Sequence, residues 1–320
     1  MLTTRSVISI ISIATMFLGA GVVSGQNFPT KPIRIVTGGI GTANDFLARL
    51  VSKELADVWG KPVIVDNRAT GITDIETVSK AVPDGHTLLV IGNSLWNVSL
   101  TQKVPYDPVQ DFSPVSQAIT SPSVLVVTPS LPVKSVGELI AMAKAKPGVL
   151  NYGSGAPGSS THLSSELFRS MAGINIFHIQ FKSVGQSIPS LFTGEVHMVI
   201  ASLALFSPHM ASGKVRALAV TSAQPSALAP GLPTIAASGV PGYQVEQLLN
   251  IFAPAKTPET IVNLLNREIV RVLNRADVKE KLFSSGVETV GSSPQQLAST
   301  MKSEIARMGK IIKDAGIRSD

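Results

Sequence analysis

Three short apolar runs, separated by stretches of helical spacing, constrain this chain more than any other feature. Pro32–Thr37 (PIRIVT) carries β-branched residues and reads as a strand. In Asp45–Trp59 the apolar residues Phe46, Leu47, Leu50, Val51, Leu55 and Val58 recur at helical spacing. Pro62–Val65 is a second strand. Thr73–Ala81 is a short helix, ended by the turn Pro83-Asp84-Gly85. Thr87–Ile91 is a third strand. Parallel strands need a long crossover, and a helix is the usual one. The β-α-β-α-β order therefore predicts an α/β fold with a parallel, doubly wound sheet.

The pattern resumes in the middle of the chain. Val124–Val127, Leu150–Tyr152, Ile176–Phe181, Val196–Ala201 and Ala217–Thr221 read as strands. Ser135–Lys146, Thr161–Met171, Ser187–Thr193 and Phe206–Ser212 read as the helices between them. Tyr243–Ala253 is extended, and Pro258–Asn274, Ala276–Ser284 and Pro294–Ala315 are helical. With 320 residues there is room for two domains of ordinary size. Two α/β units with a cleft between them is the simplest architecture. In open parallel sheets ligands sit beyond the C-terminal strand ends, against helix N-termini.

Met1–Gly25 has the layout of a secretory signal. One charge, Arg5, precedes an apolar stretch, and the next charge is Lys31. Val23-Ser24-Gly25 offers small residues for cleavage before Gln26. The chain contains no cysteine, which excludes disulfides, thiolate metal sites and cysteine nucleophiles. Its basic residues are scattered and only 5% of residues are aromatic, which sets nucleic-acid binding aside. A net charge of +6 suits the attraction of a small anion.

Five loops stand where chemistry is expected. The first, Thr37-Gly38-Gly39-Ile40-Gly41-Thr42-Ala43-Asn44-Asp45, joins the first strand to the first helix. Its glycines let backbone N–H groups approach a ligand, and Asn44 or Asp45 can cap the helix. The second, Gly153-Ser154-Gly155-Ala156-Pro157-Gly158-Ser159-Ser160-Thr161-His162, contains a literal G-x-G-x-x-G. The next strand, Ile176–Phe181, ends at Lys182 with no acid for a ribose, which argues against NAD. Its hydroxyls fit a small anion at a helix N-terminus better. The third group is Asn93-Ser94-Leu95-Trp96, in which Trp96 serves packing or a pocket wall. Phe181-Lys182-Ser183-Val184-Gly185-Gln186 and Ala201-Ser202 close two strands of the middle unit.

Signatures of catalysis are sparse. No G-x-S-x-G occurs, and none of His86, His162, His178, His197 and His209 shows zinc-ligand spacing. The rival reading is a secreted α/β enzyme, a hydrolase or dehydrogenase, using the same glycine loops. A triad assembled only in three dimensions has no local signature and stays open.

A run of motifs then marks a family. Lys31-Pro32-Ile33-Arg34-Ile35-Val36 precedes the glycine loop and Asp45-Phe46-Leu47-Ala48-Arg49. Val65-Asp66-Asn67-Arg68, Pro83-Asp84-Gly85-His86-Thr87-Leu88-Leu89 and Tyr106-Asp107-Pro108-Val109-Gln110-Asp111-Phe112 follow. Asn151-Tyr152-Gly153-Ser154, Thr161-His162-Leu163, the stretch from Gly213 to Ser222 and Ala253-Pro254-Ala255-Lys256-Thr257-Pro258 complete the order. In this the chain resembles the substrate receptors of tripartite tricarboxylate transporters, the Bug proteins, across the region that follows the leader. It departs from them in a first loop without proline and in Ala69-Thr70-Gly71-Ile72-Thr73-Asp74, which looks shorter and poorer in glycine.

The resemblance implies a two-domain periplasmic-binding-protein clamshell. It implies a non-catalytic, monomeric receptor without cofactor or metal, which hands a small carboxylate to membrane permease subunits. Carried over by position, its ligand site comprises Thr37, Gly38, Gly39, Gly41, Asn44, Asp45, Asn93, Ser94 and Trp96. It continues with Ser154, Gly155, Gly158, Ser159, Ser160, Thr161, His162, Ser183, Gly185, Gln186, Ala201 and Ser202. The domains expected are residues 26–127 with 250–320, and residues 128–249, hinged near Thr128 and Leu249.

Overall fold

The apolar run Ile33–Thr37 forms β1, and its alternating side chains feed two different cores. Ile33 and Ile35 face one side of the sheet and Val36 the other. Helix α1 (Ala43–Trp59) follows, capped by Thr42, whose hydroxyl accepts the Asp45 N–H, and ended by Gly60 in the left-handed region. Then come β2 (Val63–Asn67), α2 (Thr73–Ser79), β3 (Thr87–Gly92) and α3 (Ser94–Thr101). The computed structural model describes residues 28–68, 72–155 and 159–314. The expected leader, Gly158 and the shortened stretch's Ala69, Thr70 and Gly71 lie outside the described residues.

The second half contains β4 (Phe112–Val127), α4 (Val136–Ala145), β5 (Asn151–Ser154), α5 (Ser160–Ala172) and β6 (Phe177–Gln180). After these come α6 (Ile188–Thr193), β7 (Met198–Ser202), α7 (Leu203–Ala211), β8 (Arg216–Val220) and β9 (Glu246–Pro254). The chain closes with α8 (Glu259–Leu273), α9 (Ala276–Ser284), β10 (Glu288–Thr289) and α10 (Pro294–Asp314). The strand order is β2-β1-β3-β9-β4-β7-β5-β6, with β8 and β10 also pairing with β4.

The parallel core expected at the start is present: Ile35 stands opposite both Val65 and Leu88. The sheet is nevertheless mixed, because β9 runs antiparallel to β3 and β4 runs antiparallel to β9. β4 is also much longer than the expected Val124–Val127, at 16 residues. Its first part, Phe112–Pro122, pairs with β9, and Ser123–Val127 pairs with β7. Proline cannot donate to a ladder, so Pro114 and Pro122 disguise this strand. Pro114 is tolerated beside a shift in register, and Pro122 where the partner changes.

β4 thus joins a first sheet (β1, β2, β3, β9, β10 and Phe112–Pro122) to a second (β5, β6, β7, β8 and Ser123–Val127), and each is covered on both faces. Ile35, Val90 and Ile251 pack on Leu47, Val51, Leu265 and Ile269 of α1 and α8. On the other face Val36, Leu89 and Phe252 meet Ile75, Leu95, Trp96, Leu297 and Met301. In the second sheet Tyr152, Met198 and Ile200 pack on Leu139, Leu163 and Phe168, and Val124 and Val199 on Leu191 and Phe206. Helix α10 serves both sheets. Leu297 and Met301 belong to the first core, Met308, Ile311 and Ile312 to the second.

Candidate functional site

Three helix N-termini open onto one cavity of about 450 Å³. Thr42, Ala43 and Asn44 come from the start of α1, Asn93 and Ser94 from the start of α3, and Ser159, Ser160 and Thr161 from the start of α5. The first-turn N–H groups of an α-helix have no partner inside the helix, and its dipole places partial positive charge there. Gly92, just before α3, lets β9 pass close, since a Cβ at that position would lie 3.2 Å from the Leu248 carbonyl oxygen. Ser159 caps α5 by accepting the His162 N–H at 3.3 Å. The hydroxyls and N–H groups of these turns can hold an anion without a buried ion pair.

The glycine loop before α1 is fixed from beneath. The Asp45 carboxylate accepts the Gly41 N–H at 2.9 Å and an Asn67 amide hydrogen at 2.8 Å, and it pairs with Arg49 at 2.9 Å. Burial alone would raise its pKa, but these donors hold it below the ordinary carboxylate value. Asn67 also donates to the Gly38 carbonyl, and Thr42 to that of Gly39. Asp45 therefore shapes the loop and does not line the cavity.

Behind the α5 N-terminus lies an aromatic stack. The rings of Tyr152 and His178 are 5.0 Å apart at 16°, and His162 lies 4.5 Å from His178. Ser154 Oγ and His178 Nε2 are 2.7 Å apart. The Tyr152 hydroxyl donates to Glu166 at 2.6 Å, and Arg169 holds the same carboxylate. Burial pushes the pKa of both His162 and His178 down, and for His162 the neighbouring His178 adds to it. A base with a depressed folded pKa binds fewer protons than in the unfolded chain. Stability is thus complete above the unfolded value near 6.5 and falls as pH drops through it. Thermal denaturation between pH 8 and pH 5 should show this decline, and a His162→Gln/His178→Gln variant should flatten it. An unchanged slope in the variant would remove the pair from the account.

The other expected site residues are placed as follows. Thr37 is buried, with its hydroxyl on the Val90 carbonyl at 3.0 Å. Trp96 is fully buried between Leu95, Leu297 and Met301 and is absent from the cavity wall. The Gly155 N–H donates to Thr161 Oγ1 at 3.0 Å, which ties the second glycine loop to α5. Ser183, Gly185 and Gln186 form a tight turn, Ala201 is buried at the end of β7, and Ser202 caps α7. None of these five lines the cavity.

Other residues complete the wall. Asn97, Val98 and Thr101 follow Ser94 along one face of α3, Ser123 comes from β4, and Val245–Leu249 from the start of β9. Glu304, Arg307 and Met308 come from α10. Arg307 donates to Glu304 and to the Gln244 carbonyl. The α3 stripe has a helical signature in the sequence. The α10 residues have none, because they belong to a helix far along the chain.

Residues 47–317 match the family described as tripartite tricarboxylate transporter family receptor. A protein encoded in the tcbD-tcbE intergenic region of Pseudomonas sp. (strain P51) is 37% identical over 290 residues, covering 89% of this chain and 86% of that protein. Protein BugT of Bordetella pertussis is 34% identical, covering 96% of both chains. The solved structure of R. palustris Rpa4515 with adipate is 36% identical, with a TM-score of 0.73, covering 91% of this chain and 99% of that one. With a family match over most of its length and relatives of this identity and coverage, the chain belongs to the tripartite tricarboxylate transporter receptor family.

Proposed function

We propose that this chain is a non-catalytic periplasmic receptor that captures a small carboxylate in the cavity and delivers it to a tripartite tricarboxylate-type permease. The observation that carries this reading is the convergence of three helix N-termini on one cavity. Such ends attract anions, and their N–H groups are oriented before the ligand arrives. Adipate in a solved relative supports the same class of ligand. The lobes are residues 26–127 with 250–320, and residues 128–249, except that Val124–Val127 pair with β7 and β8 and the end of α10 packs in the second core, and they close on the ligand across β4 and β9. The leader is cleaved before Gln26 and the exported protein works as a monomer. N-terminal sequencing and sedimentation of the periplasmic form test these two points.

Thermal-shift and calorimetric titration of the exported protein test the receptor reading. Carboxylates should raise the melting midpoint in a concentration-dependent way, because they bind only the folded state. NAD and neutral sugars should leave it unchanged. A shift with either of these and none with any acid overturns the reading. Ser160→Asp is the sharper probe. An acid in the first turn of α5 should stabilise the free protein by about 0.3–1 kcal/mol. The same charge should weaken carboxylate binding by about tenfold or more through repulsion. Unchanged affinity in this variant would remove the α5 N-terminus from the site.

A further inference from the structure

Two of the helices whose starts face the cavity, α3 and α5, hold the opposite ends of one short segment, residues 243–248. Main-chain pairing between β3 and β9 stops at Gly92 and Leu249. There the chain turns into α3, and the Asn93 side chain continues the ladder. Its Oδ1 accepts the Leu248 N–H at 2.7 Å, and its Nδ2 donates to the Glu246 carbonyl at 3.2 Å. The start of α3 is thereby tied to the backbone of β9 by both halves of one amide. Such an amide holds a single orientation, because freeing either half costs free energy.

At the other end Tyr243 is 1% exposed, and its hydroxyl donates to the Ser164 carbonyl of α5 at 3.0 Å. Its ring meets Phe168 of the same helix edge-on, 6.1 Å away at 86°. Ser164 lies one turn after Ser160 and lines the cavity, whereas Tyr243 does not. Between its ends the segment is stiffened. The Val245 N–H donates to the Thr221 carbonyl, and Arg307 donates to the Gln244 carbonyl. The Glu246 carboxylate accepts from Thr120 and Gln244. Leu95 of α3 packs in a core of the first sheet and Phe168 of α5 in a core of the second, so the segment is a strut between them.

We infer that Asn93 and Tyr243 are positioning residues for carboxylate capture: by clamping the two ends of the strut they set the separation of the α3 and α5 starts across the cavity. This rests on the carboxylate-receptor reading, which makes those starts the ligand's donors. Donors already in place need no ordering when the ligand arrives, whereas donors of fluctuating separation must be ordered at the expense of affinity.

Tyr243→Phe is the sharpest test, because it removes one hydroxyl from a residue that does not line the cavity. Calorimetry of the exported protein with succinate, glutarate and adipate should find the tightest of the three weakened about tenfold or more. Asn93→Ala frees the other end and should weaken it by a similar factor. The double variant should be no weaker than the worse single one, since a strut released at one end no longer sets a distance. The chain has no cysteine, so spin labels can be attached through Gln102→Cys, just after α3, and Ser170→Cys, near the end of α5. Their distance distribution should be narrow in the otherwise unaltered protein and broader with either strut variant.

Unchanged affinity in both single variants overturns the inference and leaves the receptor reading standing, even where the melting midpoint falls, because a merely structural bond lowers stability alone. Additive losses overturn it as well, since each residue then acts by itself. So does a distance distribution that neither variant alters. Should none of the three acids bind, the tightest carboxylate of the thermal-shift panel replaces them. If no carboxylate binds, the receptor reading and the inference fall together.

Discussion

Trp96→Ala should lower stability by about 3–5 kcal/mol, the usual cost of emptying a buried aromatic site. Trp96 is 0% exposed and is packed among Leu95, Phe252, Leu297 and Met301. Its loss opens a void where α3 and α10 meet the first sheet. Trp96→Phe keeps most of the packing. It also removes an indole N–H that has no partner among the described residues, so its cost should stay near 1 kcal/mol. Denaturant unfolding measures both variants, and titration of the Phe variant should find carboxylate affinity unchanged. A Phe variant that folds normally but loses the ligand would make Trp96 a ligand-facing residue and contradict the packing role.

Gly85→Ala should be nearly as damaging, at about 2–5 kcal/mol, combining a left-handed backbone with an overpacked core. Gly85 has φ +80, and a Cβ there would lie 2.3 Å from Ile261 Cγ2. It would also come within 3.2 Å of the Phe28 ring. Ile261 belongs to the core between α8 and the first sheet, so neither neighbour can move away freely. The melting midpoint should fall by roughly 5–15 °C. Pairing the change with Ile261→Ala should give a loss smaller than the sum of the two, since the clash is then relieved and only the backbone strain remains. Strict additivity would show that the clash is not the cause.

The turn holding Gly85 was legible because Pro83-Asp84-Gly85 is a local statement about dihedral angles. The same is true of α1 and α5, whose apolar stripes and terminal glycines lie within one stretch of chain. Thr42 and Ser159 could be found in the same way, because each stands where a strand hands over to a helix, whereas Ser94 was marked only as the end of a strand and the helix α3 that it opens was not expected. β4 was legible only in its last part. The stretch before Val124 mixes prolines, serines and threonines, and its pairing is decided by β9, more than a hundred residues later.

Trp96 and Asp45 show a different limit. Both stand in loops that the pattern marks as functional, yet each turns inward. Trp96 does so because α3 must cover Phe252 and the α10 side chains, Asp45 because Asn67 and Gly41 offer donors beneath the loop. A residue's type gives its chemistry but not the direction in which it points.

By itself the sequence determined the α/β class, the parallel β-α-β-α-β start, the capped starts of α1 and α5, and the family. All of these rest on spacing and capping within short segments, where the backbone period decides which side chains share a face. The tertiary structure alone decided that the three helix starts share one cavity, that α10 crosses both sheets, and that Glu304, Arg307 and Asn97 complete the wall. Those contacts join residues hundreds of positions apart, and only the packing of both faces of the sheets brings them together.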